Sequence, residues 1–104
     1  MPKFNTSIPN PAGKDKAKAG LKSFFEKAKE FGSKDVTDAT EDWSKWDTDS
    51  AYGFSFKKMG IAIKGTITVT DDKVNVDGEI PFAAMMFKGK IEEGFREQLS
   101  KAIS

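Results

Sequence analysis

The stretch Gly60–Ile80, GIAIKGTITVTDDKVNVDGEI, constrains the fold more than any other part of the chain. Ile61, Ile63, Ile67 and Val69 share one parity; Ala62, Lys64, Thr66, Thr68 and Thr70 share the other. Beyond Asp71-Asp72 the apolar parity resumes with Val74, Val76 and Ile80, while Lys73, Asn75, Asp77 and Glu79 take the polar one. Successive side chains on a strand point to opposite faces. Strict alternation on both sides of a turn therefore predicts an antiparallel sheet with one dry and one wet face. Gly65 and Gly78 interrupt the dry parity, where a missing side chain permits a close helix approach or strong curvature.

The remaining segments supply what such a hairpin lacks. In KFNTSI, Phe4, Thr6 and Ile8 alternate, and Pro9, Pro11 and Gly13 end the segment, which predicts an edge strand. In KDKAKAGLKSFFEKAKEFG, residues Ala17, Leu21, Phe24, Phe25, Ala28 and Phe31 recur at three- and four-residue steps. That spacing makes one apolar helical stripe, with Gly32 at the position of a left-handed cap and Gly20 weakening the helix slightly. The other face is rich in lysine: Lys14, Lys16, Lys18, Lys22, Lys27 and Lys29. SKDVTDATED reads as a solvated acidic connection. DWSKWDTDSAYGFSFKK reads as a hairpin turning at DTDS, with Tyr52, Phe54 and Phe56 on the buried side. Trp43 and Trp46 stand three apart, so a regular strand sends them to opposite faces and leaves one relatively exposed. The last helix begins near Pro81, and Phe87, Ile91, Phe95, Leu99 and Ala102 form its stripe. The predicted order is β-α-β-β-β-β-α: a two-layer α+β fold, an antiparallel twisted sheet with two helices on one face. At 104 residues the chain is read as a single domain, 1–104.

Composition narrows the chemistry. Seventeen basic residues meet sixteen acidic ones, which argues against a nucleic-acid partner. The chain has no cysteine and no histidine. That removes thiolate metal sites, the commonest general base and the commonest metal ligand. Asp35, Asp38, Glu41 and Asp42 lack calcium-loop spacing, and Asp71-Asp72 fits turn duty. No catalytic residue, cofactor or metal site is expected. MPKFNTSIPN lacks the apolar core of a signal peptide, and no apolar run approaches the roughly 20 residues of a transmembrane helix. A cytoplasmic, bacterial-type protein is the expectation.

Two features stand out as contact candidates. The lysine-rich first helix carries three phenylalanines, a composition shared with surface-seeking helices, although packing on the sheet accounts for them as well. The second is PFAAMMFKGKIEEGF, whose apolar residues disagree on a helical face. At about 100° per residue, Phe82, Met85 and Met86 cluster on one side and Phe87, Ile91 and Phe95 on the other. Either the helix breaks near Phe87, or it carries a second apolar face. A break predicts that Phe82, Met85 and Met86 sit on a separate short turn with at least one methionine exposed. Together with Trp43 and Trp46 these are the candidate surface contacts.

GTITVTDDKVNVDGEIPF, followed by FKGKIEEGFREQLSKAI, resembles the polyhydroxyalkanoic acid system family, small proteins named for genes near polyester-storage loci. The similarity is strongest from Phe54 to Ile103 and looser over the first strand and helix. The chain departs from the family pattern in its longer acidic link, Ser33–Asp42, and in Asn10, where histidine is expected. The resemblance implies an association with polyhydroxyalkanoate granules or granule proteins, and no established reaction. Three functions stay open: a non-enzymatic accessory or binding protein at a hydrophobic surface or on a protein partner, a lipid or acyl carrier or enzyme with a pocket between helices and sheet, and a structural homo-oligomer, of which a homodimer is the simplest form.

Overall fold

The computed structural model of the chain describes residues 2–31, 36–58 and 60–103, with side chains described outside 28–31 and 36. In chain order the elements are β1 (Lys3–Pro9), α1 (Lys14–Phe31), β2 (Val36–Asp42), a four-residue α2 (Trp46–Asp49), β3 (Ala51–Lys58), β4 (Ile61–Val69), β5 (Lys73–Glu79), a 3₁₀ helix (Phe82–Phe87) and α3 (Lys88–Ile103). The five strands form one sheet in the order β1-β5-β4-β3-β2, and each neighbouring pair is antiparallel. The α+β expectation holds, with α2 and the 3₁₀ helix as short additions.

The central hairpin sits in the register that its alternation predicts. Ile67 lies opposite Val76 and Thr66 opposite Asp77. Ile63, Ile67, Val69, Val74, Val76 and Ile80 are buried, whereas Lys64, Thr66 and Asp77 are exposed on the uncovered face. β1 joins the free side of β5, pairing Phe4 with Gly78 and Ile8 with Val74. It is an edge strand, as expected, and α3 covers it. Glu92 accepts a hydrogen bond from the Asn5 backbone N–H (3.2 Å), and the Arg96 guanidinium donates to the Thr6 hydroxyl (2.9 Å). Buried Asn10, at the expected histidine position, ties the end of β1 to the β4–β5 turn: its side-chain amide donates to the Thr70 carbonyl (2.8 Å), and its backbone N–H to Asp72 (2.9 Å).

One row across the sheet explains the two dry-face glycines. Phe4, Gly78, Gly65 and Phe54 are consecutive partners on β1, β5, β4 and β3. A Cβ built on Gly78 would run into the Phe4 ring, and one on Gly65 would meet the β5 backbone at Asp77 and Gly78 and then the Phe54 ring at 3.1 Å. The two rings thus lean over the glycines, and Phe95 of α3 lies on both, at centroid distances of 5.6 Å and 5.4 Å. At Gly78 the close approach belongs to an aromatic ring and at Gly65 to the backbone of β5; neither is to a helix. The helix approach occurs at Gly20, where an added Cβ would stand 2.5 Å from the Ala102 carbonyl oxygen. Here α1 and α3 meet, and glycine's helix cost is the condition of their contact. Ala17 and Leu21 are buried on α1; the side chains of Ala28 and Phe31 and the expected cap at Gly32 lie outside the described residues.

The acidic connection requires a correction. Val36–Asp42 is a strand, pairing Asp42 with Gly53 and Val36 with Lys58 around a register shift between Thr37 and Thr40. DTDS is no hairpin turn: Trp46–Asp49 is a short helix ended by Ser50 in the left-handed region (φ 54°). The chain around Trp43 and Trp46 therefore does not alternate. The two indoles pack edge to face at 5.2 Å on the same side of the sheet. Trp46 is buried and Trp43 half-buried, so Trp46 is removed from the surface contacts.

Candidate functional site

Among the described residues, the segment Phe82–Phe87 carries the four exposed large apolar side chains: Phe82 at 75%, Met85 at 49%, Met86 at 91% and Phe87 at 46%. Its local geometry explains why. Pro81 is extended (ψ 157°) and its carbonyl accepts from the Ala84 N–H at 2.9 Å. Tight turns of this kind bring residues three apart into line. Phe82 aligns with Met85, Ala83 with Met86, and Ala84 with Phe87. Ala84 is fully buried and anchors its own row, which leaves the other two rows pointing outward. The Lys88 N–H donates to the Met85 carbonyl, and the α-helical rise begins there. The helix breaks at Phe87, as the conflicting faces predict. Phe87 itself departs from expectation: it ends the 3₁₀ row rather than beginning the α3 stripe. Burial against the sheet starts at Ile91 and deepens through Phe95 to Leu99, which is 2% exposed.

The other aromatics are turned inward. Phe25 stacks on Tyr52 at 4.1 Å, Trp43 lies 4.5 Å from Tyr52, and Tyr52, Phe54 and Phe56 stack along β3. Glu41 of β2 projects into this cluster and accepts from the Trp43 indole N–H at 2.7 Å and from the Tyr52 hydroxyl. Burial pushes the Tyr52 hydroxyl above the usual tyrosine range, and the Glu41 carboxylate beside it adds to the shift. Lys18 of the basic helix donates to the Trp46 carbonyl at 2.7 Å and lies 5.1 Å above the Trp46 ring. Of the α1 phenylalanines, Phe25 packs with this core and Phe24 lies edge to face against Phe25 at 5.8 Å, so the sheet-packing account holds for Phe25.

These rings occupy the space between helices and sheet. A hollow of about 610 Å³ lies instead on the uncovered face, where Lys64, Thr66, Asp77 and Glu79 line it. Lys64 and Glu79 form an ion pair across its floor at 3.3 Å. Among the described residues no group of three acidic, histidine or cysteine side chains gathers to hold a metal. Asp42 is engaged locally: hydrogen bonds from the Ser44 hydroxyl and N–H hold its carboxyl below the ordinary aspartate value.

A family profile described as "Putative polyhydroxyalkanoic acid system protein" matches residues 11–103. The chain belongs to that family. The match includes α1 and β2, so family membership extends well beyond the carboxy-terminal half that carries the plainest resemblance. Comparison with curated proteins and with solved structures finds no match. No helix among the described residues is long and apolar enough to cross a membrane.

The knob was legible from the conflict of faces in PFAAMMF. The inward acid, Glu41, was not, because a lone glutamate in a polar run carries no sign of which way a strand will turn it.

Proposed function

We propose that this polyhydroxyalkanoic acid system protein is a non-enzymatic accessory protein of the cytoplasm, held on the hydrophobic surface of polyester granules by Phe82, Met85, Met86 and Phe87. The carrying observation is the exposure of Met86 and Phe82 on a turn whose only buried residue is Ala84. Methionine is flexible and polarizable, which suits an irregular apolar surface. Taking about 150–250 Å² for a large side chain, the knob offers roughly 500 Å². At about 25 cal/mol/Å² that is roughly 12 kcal/mol before costs, against about 4–15 kcal/mol for lost freedom on association. Attachment is therefore reversible. A standard protein interface buries about 800 Å² per partner, so the knob alone is small for a stable homodimer. The filled interlayer space supports this reading over an internal acyl or lipid site. The absence of histidine and cysteine from the sequence supports a non-enzymatic role.

The test is co-sedimentation of the purified protein with isolated granules. Phe82→Asp and Met86→Asp are expected to lower binding at least tenfold while changing stability by less than about 0.5 kcal/mol, the usual range for surface substitutions. Undiminished granule binding by both folded variants would refute the proposal.

A further inference from the structure

The knob sits at one pole of the molecule, and the strand register fixes what surrounds it. Lys58 pairs with Ile61 at the β3–β4 turn, and Lys64 and Lys3 both pair with Glu79 at the end of β5. The Ile80 N–H donates to the Pro2 carbonyl, so the start of β1 lies at the same end. The 3₁₀ helix and the first turn of α3 follow directly. Six lysines therefore share this pole: Lys3, Lys57, Lys58, Lys64, Lys88 and Lys90. Three of its acids are engaged, with Glu79 paired to Lys64, Asp38 paired to Lys57 at 3.5 Å, and Glu92 accepting from the Asn5 N–H, while Glu93 stands exposed three residues beyond Lys90. Among the described residues, Lys3, Lys58, Lys88 and Lys90 have no acidic partner. The opposite pole is mixed: Asp47 and Asp49 of α2 and Asp71 and Asp72 of the β4–β5 turn stand there with Lys14, Lys45 and Lys73. Net charge is only +1, so the basic pole is a matter of distribution, not of total.

Lys88 and Lys90 also stand in the first turn of α3, which holds no acidic residue. The aligned peptide dipoles leave that end partly positive, and the two ammonium groups add to it beside an apolar projection. Helices that bind membrane surfaces combine the same two elements, an apolar insert and cations placed for anionic headgroups.

We infer that this pole docks on an anionic phospholipid surface, with the knob among the acyl chains and the lysines at the phosphates. The inference rests on the reading of the knob as surface-seeking and adds the chemistry of what it meets. Charge complementarity carries it. A second copy of the chain is a poor occupant, because a two-fold contact through the knob would bring two lysine rims together. A rigid pocket is also a poor match for a convex turn with little area, whereas a fluid monolayer deforms around it.

The experiment measures sedimentation of the intact chain with vesicles of phosphatidylcholine alone and of phosphatidylcholine mixed with phosphatidylglycerol, at low and high salt. Each lysine near an anionic surface strengthens binding about fivefold. Binding to the anionic vesicles should exceed binding to neutral ones by at least tenfold and should weaken in salt. Lys88→Glu combined with Lys90→Glu should remove most of that difference without altering the circular dichroism spectrum. Met86→Asp should lower binding to both vesicle types. Equal binding to both vesicles, or no effect of the lysine reversals, would overturn the lipid inference. If granule binding is still lost in Met86→Asp under that outcome, the granule proposal stands without it. Comparable binding to polyglutamate, with the same salt dependence, would also overturn it, since mere polyanion attraction would then suffice.

Discussion

Gly78 and Tyr52 show how single positions set this core. Gly78 has Phe4 where its own side chain would be, and Phe4 is 2% exposed beneath Phe95. Gly78→Ala is expected to cost about 1–3 kcal/mol through overpacking, measured by urea unfolding. Phe4→Leu in the same background should recover part of that loss, because the two positions share one volume. Tyr52 is different in kind. Its hydroxyl is buried and bonded to Glu41, so the native state holds it neutral and its pKa is raised. An unfolded tyrosine ionises near about pH 10. The stabilisation is fully present below that value and is lost as pH rises from there through the folded value. Tyr52→Phe should cost about 1.5–3 kcal/mol at neutral pH, the range for a hydrogen bond to a charged group. It should also flatten the fall in stability above about pH 10; an unchanged alkaline slope in Tyr52→Phe would contradict the assignment. Neither role was readable beforehand. Gly78 announced a gap on the dry face but not the ring that fills it, and Tyr52 announced burial but not its acid.

Among the elements, the contact between α1 and α3 is the most sensitive. Gly20→Ala would ordinarily favour a helix by about 1 kcal/mol. Here the new methyl group meets a backbone carbonyl at 2.5 Å, which cannot rotate away as a side-chain tip would. A net loss of stability is expected, and a thermal midpoint above that of the unaltered chain would count against the close approach. The sequence shows α1, α3, β1 and the β4–β5 hairpin because each has an apolar face of its own. β2 escaped because Val36–Asp42, VTDATED, is an edge strand with residues 37–40 all exposed. Its pairing comes from the backbone of β3, which leaves no trace in hydropathy. The Trp43–Ser50 connection escaped because its short helix ends on a left-handed serine, a conformation that side chains seldom advertise. Phe87 leaves the α3 stripe because a 3₁₀ turn repeats every three residues and an α-helix every 3.6. The phase of α3 cannot be extended backward through the junction at Lys88.

On the scale of the whole molecule, the two edge strands differ in a way that hydrogen exchange can read. β1 has α3 against it, with Phe95 on Phe4, Arg96 on Thr6 and Glu92 on the Asn5 amide. β2 pairs with β3 alone, its register shifts between Thr37 and Thr40, and Asp38 stands at φ 52°. Opening β1 exposes the packed ring row, whereas opening β2 costs a backbone ladder and the Glu41 contacts. Local opening follows such differences in burial. The amides of β1, β4 and β5 should therefore exchange together, near the rate of global unfolding. Those of β2 should exchange faster in water and converge on the same rate only as urea rises. β2 amides as slow as those of β5, or β1 amides exchanging with β2, would show that α3 does not close the β1 edge. The same measurement connects stability to function. On a bound surface the knob and its lysine rim are covered, whereas the far end of β2, where Asp42 pairs with Gly53, lies away from that pole. Added protection should then centre on Phe82–Lys90, and Thr40–Asp42 should exchange as they do in the free protein.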